Sequence, residues 1–280
     1  MNQKAVLRYM KEQRFGLFRN RDWGGVQVLD PDENCRGSYE TITVVSDDGE
    51  VVEDKLYVPI AHSTGTRQPT PRTKAHSRGY LPDPGTRRSV GFSSTLELHC
   101  ALMLMANRFV EEVEDQPPAV TYHDADGNPH EHTFDYRARF RSGTYLAFAV
   151  KPWEQVERTG LRDQIKRIRP VLGKFASDAV IITDCELTPA RAWNAKSILR
   201  ARRFHNAAKC EEMRAFVKTL TGAVSAFHVA MRFNDFGEAM NAIWYLIYEG
   251  VLEQLNPAKK LFDEPYVRLA AGGEARKWLV

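Results

Sequence analysis

Two stretches of this chain carry the residue types that hydrolyse a phosphodiester: an aspartate on one predicted strand and a lysine on the next. They read His132-Thr-Phe-Asp135-Tyr136 and Leu146-Ala-Phe-Ala149-Val150-Lys151-Pro152, with a Ser142-Gly143 turn between them. Cutting a phosphodiester requires an activated water and stabilisation of the charge that builds on the phosphate. Carboxylates holding Mg²⁺ supply the first and part of the second, and a lysine beside them orients the nucleophile and neutralises charge. Side chains alternate along a strand, so residues 147, 149 and 151 share a face, and a ligand at 149 would lie beside Lys151. That position is Ala149, whose methyl group cannot coordinate a metal. Asp135, flanked by Phe134 and Tyr136, is expected to face away from both aromatics and into the same cleft. Glu97, near the start of the preceding predicted helix, is placed to approach from above.

Each residue also has a plainer reading. Glu97 lies three residues after Ser94, the spacing of a capping box. Asp135 could be the solvent side of a half-exposed strand, and Lys151 a strand-end cation that guards an edge. In this order and at this spacing the three together favour a site. His130 and His132 share a strand face, with His99 and His123 near in sequence. Lacking a third ligand at diagnostic spacing, they are read as surface histidines.

The elements that must position these residues follow from periodicity. Residues 41–45 and 51–60 alternate as strands around Asp47-Asp48-Gly49, a hairpin signal. Residues 61–88, with Pro69, Pro71, Pro82 and Pro84, read as an extended arm or linker rather than a packed element. A buried helix opens at Ser94 and runs through Leu98, Leu102, Met105 and Phe109. Extended segments follow at 119–122, 132–140 and 145–150, with turns at Asp126-Gly127 and Ser142-Gly143. A basic helix over about 158–171 leads to the apolar strand 179–183. The result is a mixed α/β core. Beyond Pro189 the pattern is helical: 194–203, 211–220, and a helix capped by Asp235 that ends at Gly250, with 251–255 as a strand. Three helices, a glycine and a strand outline a winged helix-turn-helix.

At 280 residues, 43% hydrophobic and 27% charged, the chain can build a sizeable core in one large or two small domains. No apolar run approaches the roughly 18 residues of a membrane span, and the N-terminus lacks a secretory core. Four scattered cysteines without a C-x-x-C pair point to neither a zinc knuckle nor a disulfide framework. A net charge of +3 hides an uneven distribution. Residues 158–218 hold 14 Lys/Arg against 6 acids, residues 62–88 hold 6 against one, and residues 111–135 hold eight acids and no Lys or Arg. Basic stretches around an acidic island suit a protein that grips a phosphate backbone and collects a divalent cation. Charge alone is explained as well by helices that solvate themselves.

Taken in order, these motifs resemble the TnsA family of transposon endonucleases, over roughly residues 78–255. Arg87-Arg88-Ser-Val-Gly-Phe-Ser-Ser94 followed by Glu97 is similar to the family's arginine-serine segment and helix-borne glutamate. Val113-Glu-Asp-Gln116-Pro117 resembles its E-x-Q-P stretch, Phe134-Asp135-Tyr136 its metal-binding aspartate, and Val150-Lys151-Pro152 the end of its E/Q-V-K-P strand. Asn194 to Arg203 resembles its basic helix, and residues 211–255 its winged helix. The resemblance implies an α/β fold. A restriction-endonuclease-like mixed-sheet core of the PD-(D/E)xK type spans 78–204, after an N-terminal β-hairpin and basic arm (1–77). A winged-helix domain and tail follow (205–280). It implies that Glu97 and Asp135 are metal ligands and Lys151 the catalytic lysine, with the Val150 carbonyl and position 149 completing the site and Gln116 beside it. Arg87, Arg88, Lys196, Arg200, Arg202 and Arg203 would contact double-stranded DNA. The cofactor would be Mg²⁺, with Mn²⁺ as substitute. Partners would be a DDE-type transposase and an AAA+ ATPase regulator, with a homo-oligomer on DNA compatible, all in a prokaryotic cytoplasm at the nucleoid. Ala149 falls where the family carries Glu or Gln. This leaves open a depleted metal site or a loss of activity, natural or introduced. A silent DNA-binding adaptor and a stand-alone phage or plasmid defence nuclease are the competing readings.

Overall fold

The structure, a computed structural model, describes residues 37–45, 51–69 and 77–270. The chain divides into two compact units, residues 1–60 and 61–280. In the first, β1 (Gly37–Val45) and β2 (Val51–Pro59) form an antiparallel hairpin with Val45 opposite Val51. The Asp47-Asp48-Gly49 turn expected there lies outside the described residues.

The second unit opens where a linker was expected. Residues 79–92 fold as an antiparallel pair, β3 (Gly79–Asp83) and β4 (Arg88–Phe92). Its turn is built by Asp83, a buried side chain that accepts from the Gly85 N–H (2.9 Å) and the Thr86 hydroxyl (2.9 Å). Pro82 lies within β3 and Pro84 in the turn, positions that a two-stranded edge tolerates.

Ser94 accepts from the Glu97 N–H and starts α1 (Thr95–Ala106), which stops at Asn107, short of Phe109. The central sheet runs β10-β9-β8-β5. β5 (Val110–Asp115), β8 (Tyr136–Phe140) and β9 (Tyr145–Val150) are antiparallel neighbours, and β10 (Asp178–Ile182) lies parallel to β9. β6 (Val120–His123) and β7 (Pro129–His132) form a separate hairpin. A parallel neighbour needs a crossover, supplied by α2 (Trp153–Arg158), α3 (Leu161–Ile168) and a 3₁₀ turn, Arg169–Val171. The single basic helix expected over 158–171 is broken at Gly160, whose φ of 65° lies in the left-handed region. β5 escaped the sequence reading because Glu111, Glu112 and Glu114 interrupt its apolar pattern.

The sheet is packed on both faces. On one, Tyr136, Phe148, Val150 and Ile182 meet α1 and the start of α4 (Pro189–Arg203). On the other, Ala147, Ala149 and Ala179 meet Ile165 and Ile168 of α3. A further core, from Cys210 to Val267, is built by α5 (Ala207–Val217), α6 (Ala226–Ala230) and α7 (Phe236–Glu249). Beside them lies a three-stranded antiparallel sheet ordered β11-β13-β12: β11 (Val224–Ser225), β12 (Leu252–Gln254), β13 (Tyr266–Leu269). Asp235 caps α7 through the Glu238 N–H (2.8 Å), and Gly250, at φ 73°, ends it. Among the described residues no helix is long and apolar enough to cross a membrane.

Candidate active site

Asp135 sits at the fork where β8 and β9 separate. Phe134 and Tyr136 are both fully buried but belong to opposite faces of the sheet. The expectation that Asp135 faces away from two aromatics on one side is therefore corrected: the chain bends at Asp135. Its N–H donates to the Phe148 carbonyl (3.0 Å), and its carbonyl accepts from the Gln116 N–H (2.9 Å). The bend turns the carboxylate across the sheet end. Oδ2 accepts from the Val150 N–H (2.7 Å), and Oδ1 lies 3.3 Å from Gln116 Nε2.

Electrostatics ties the expected trio together. Burial pushes the Asp135 carboxyl up to about 6; the Val150 amide opposes this, the Glu97 charge adds to it, and Lys151 and Gln116 pull it back. Two carboxylates and an ammonium from three elements thus feel one another around a half-buried group. Beneath them, burial and the charges of Asp135 and Glu97 hold the Cys100 thiol well above its ordinary range. The Tyr136 hydroxyl donates to the Gly91 carbonyl (2.9 Å) and lies 3.2 Å from that of Glu97.

Glu97 combines its two readings. Its Oε2 accepts from the Ser93 N–H (2.7 Å) and its Oε1 from the Ser94 hydroxyl (3.0 Å), so it closes a cap at the start of α1 while facing Asp135. Lys151 is exposed, anchored by its N–H to the Ile182 carbonyl (3.2 Å). Among the described residues its ammonium forms no ion pair. At Val150 the amide N–H meets the carboxylate. Ala149, 2% exposed, lies among Phe134, Val156 and Ile165, on the face opposite α1.

His132, read from the sequence as a surface histidine, is corrected: its ring turns inward. Its Nε2 is buried without a hydrogen-bond partner among the described residues, and its ring packs edge-on against Phe134, with centroids 4.6 Å apart. Burial and the nearby Lys151 charge lower its pKa, so at neutral pH it is an uncharged imidazole. The signal was its position two residues before the buried Phe134, which puts it on an inward face. His99 and His130 have structural partners: His99 Nδ1 is 3.1 Å from the Leu187 carbonyl, and His130 pairs with Asp124 (2.8 Å).

Several of the basic residues have partners within the protein. Arg88 pairs with Glu112 (3.0 Å), and Arg202 donates to the Met105 carbonyl (2.6 Å) while stacking on Tyr248. Arg203 lies over Phe204, and Arg87 occupies a left-handed turn position at φ 54°. Lys196 and Arg200 face solvent on α4. Within the acidic island the three glutamates of β5 are matched by arginines. Glu114 pairs with Arg137 (2.6 Å), and Glu111 and Glu112 with Arg139 (2.6 and 3.4 Å).

Among the described residues no three His, Cys, Asp or Glu side chains converge as a metal site. The chain matches no protein-family model and no curated protein. The donor set nevertheless fits a loosely held hard cation. Mg²⁺ keeps several waters and needs only one or two carboxylates, and each oxygen of Asp135 and Glu97 that accepts one hydrogen bond retains a lone pair. Burial, and after it the Glu97 charge, raise the Asp135 pKa, and a bound cation would offset both.

Proposed function

We propose that this chain is a metal-dependent DNA endonuclease of the TnsA transposon type, working with a depleted metal site. It would nick, at the element ends, the strand that a partner DDE-type transposase leaves uncut. What supports this reading is that Asp135, held at the end of the central sheet by the Val150 N–H (2.7 Å), lies where the charges of Glu97 and Lys151, both distant in sequence, act on it. The mixed sheet flanked by helices fits a restriction-endonuclease-like core over 78–204. The order helix, strand, helix, helix, hairpin after residue 205 fits a winged helix. A regulator of the AAA+ class and a prokaryotic, nucleoid-associated setting belong to the same proposal.

Glu97 and Asp135 would hold Mg²⁺, or Mn²⁺ in its place. When bound, the ion supplies an activated water and polarises the phosphoryl oxygen. The protein does the rest. The Val150 and Gln116 donors fix the Asp135 carboxylate in one orientation. The Lys151 ammonium, without an ion pair among the described residues, can face the charge that grows on the phosphate. Lys196 and Arg200 are solvent-facing and can contact the backbone.

A second reading, a nuclease-fold DNA-binding adaptor without activity, is favoured by Ala149, whose methyl packs among apolar side chains. Nicking of supercoiled plasmid in Mg²⁺ or Mn²⁺ separates the two. For the endonuclease, Ala149→Glu raises nicking at least tenfold, because a missing ligand is worth several kcal/mol in the transition state. No nicking by either chain, with a lowered melting temperature in the variant, means that the new carboxylate stays in the apolar cluster, and the adaptor reading replaces the enzyme.

A further inference from the structure

We infer that residues 61–69 form a strap that belongs to the site, with Ser63 and Thr66 as positioning residues for Asp135. The inference rests on reading Asp135 as a site carboxylate. The strap begins as a bridge onto β4: the Ala61 N–H donates to the Arg87 carbonyl (3.0 Å), and the Ser89 N–H to the Ala61 carbonyl (2.8 Å). Two residues on, the Ser63 hydroxyl reaches both oxygens of Asp115 (2.8 and 2.7 Å). Asp115 is 2% exposed at the end of β5, and Ser63 is its hydrogen-bond donor among the described residues. A donor to a buried carboxylate stabilises it, so the Ser63 hydroxyl ties the strap to that strand end. The packing allows nothing larger: a Cβ at Gly65 would meet Asp115 Oδ2 at 2.9 Å, and one at Gly91 would meet it at 2.5 Å.

The next residue carries the connection into the site. Gln116 has φ 41°, a left-handed conformation that a glutamine holds only when its surroundings over-determine it. Here they do. Both the N–H and the hydroxyl of Thr66 donate to the Gln116 carbonyl (2.9 Å each), while the Gln116 N–H and side-chain amide meet the backbone carbonyl and the carboxylate of Asp135. From strap to carboxylate, therefore, runs Ser63 and Thr66, then Asp115 and Gln116, then Asp135. The proline- and threonine-rich composition read as a linker is, over this part, a clamp on the catalytic fork.

The test is hydrogen exchange on the full chain, read by mass spectrometry peptide by peptide, with Ser63→Ala, Ser63→Thr and Gly65→Ala. Ser63→Ala and Gly65→Ala are expected to speed exchange at least tenfold in peptides covering 61–69, 112–117 and 134–136, leaving the 240–247 helix unchanged. Ser63→Thr, which keeps the hydroxyl, restores protection. Faster exchange confined to 61–69, or equal loss in Ser63→Thr, overturns the strap. Mn²⁺ affinity, measured by the paramagnetic signal of the free ion, is expected to fall at least fivefold in Ser63→Ala and to recover in Ser63→Thr. Absence of Mn²⁺ binding in the unaltered chain would instead sink the metal-site reading, while the exchange arm still decides the strap.

Discussion

Carboxylates line two neighbouring edges of the same strands, and their partners separate them. On the β5–β8 edge, Glu112 and Glu114 lie directly opposite Arg139 and Arg137 in the antiparallel register, and Arg88 joins from β4. Each acid there has a guanidinium within reach, so the ladder is electrically closed and stabilises the pairing. On the β8–β9 fork, Asp135 and Glu97 accept from N–H and O–H groups and repel one another. A protein built only for stability would neutralise such a pair. The same residue type is thus structural where a cation of the chain closes the charge, and a candidate for chemistry where none does.

The largest effect expected from this contrast is on catalysis. Lys151→Ala, placed in whichever of the unaltered and Ala149→Glu chains nicks more, should lower nicking by about a hundredfold or more, as loss of a transition-state charge partner does, with DNA binding in a gel-shift assay nearly intact. Equal loss of binding would recast Lys151 as a phosphate anchor.

The next effect is on stability, and its sign is unusual for an acid. The Asp135 carboxyl rises from an ordinary 3.8 to about 6 in the folded protein, so between those values the folded state binds more protons than the unfolded one. Stability therefore falls as pH climbs through that window, by on the order of 2 to 3 kcal/mol. Asp135→Asn should remove the loss and melt higher than the unaltered chain at pH 7, with little difference near pH 4. Mg²⁺ at pH 7 should raise the melting temperature of the unaltered chain and leave Asp135→Asn unmoved. A variant that melts lower at both pH values would make Asp135 a structural acid like those of the ladder.

Smallest is the effect at the ladder itself. Glu114→Gln should lose at most ~1 kcal/mol at pH 7, the ordinary worth of a partly exposed ion pair, and should leave the Mg²⁺ response intact. A Mg²⁺ response that vanished with Glu114 would move the cation site onto the ladder and erase the distinction.

Local chemistry carried the legible part of this molecule. Ser94 before Glu97, Asp235 before Glu238 and Gly250 after Ile247 announce helix ends through hydrogen bonds made within one turn, and all three ends formed as expected. The extended segment read over residues 145–150 and the apolar run over 179–183 announced β9 and β10. The failures were non-local. β5 looked polar because its glutamates are matched by arginines about 25 residues away. The β3–β4 pair looked like a linker because its turn depends on one buried aspartate. Phe134 and Tyr136 looked like one face because nothing in the text marks a bend held by Gln116 and Phe148.

Sequence by itself determined which residues could do chemistry here, and that position 149 offers only a methyl group, because side-chain functional groups are written in the residue names. Tertiary structure alone decided that the charges of Glu97 and Lys151 act on a half-buried Asp135, that His132 turns inward against Phe134, and that a threonine from the supposed linker holds a strained glutamine against the carboxylate. Charge and pKa depend on distance and on excluded water, and both are fixed only when strands far apart in the chain are brought side by side.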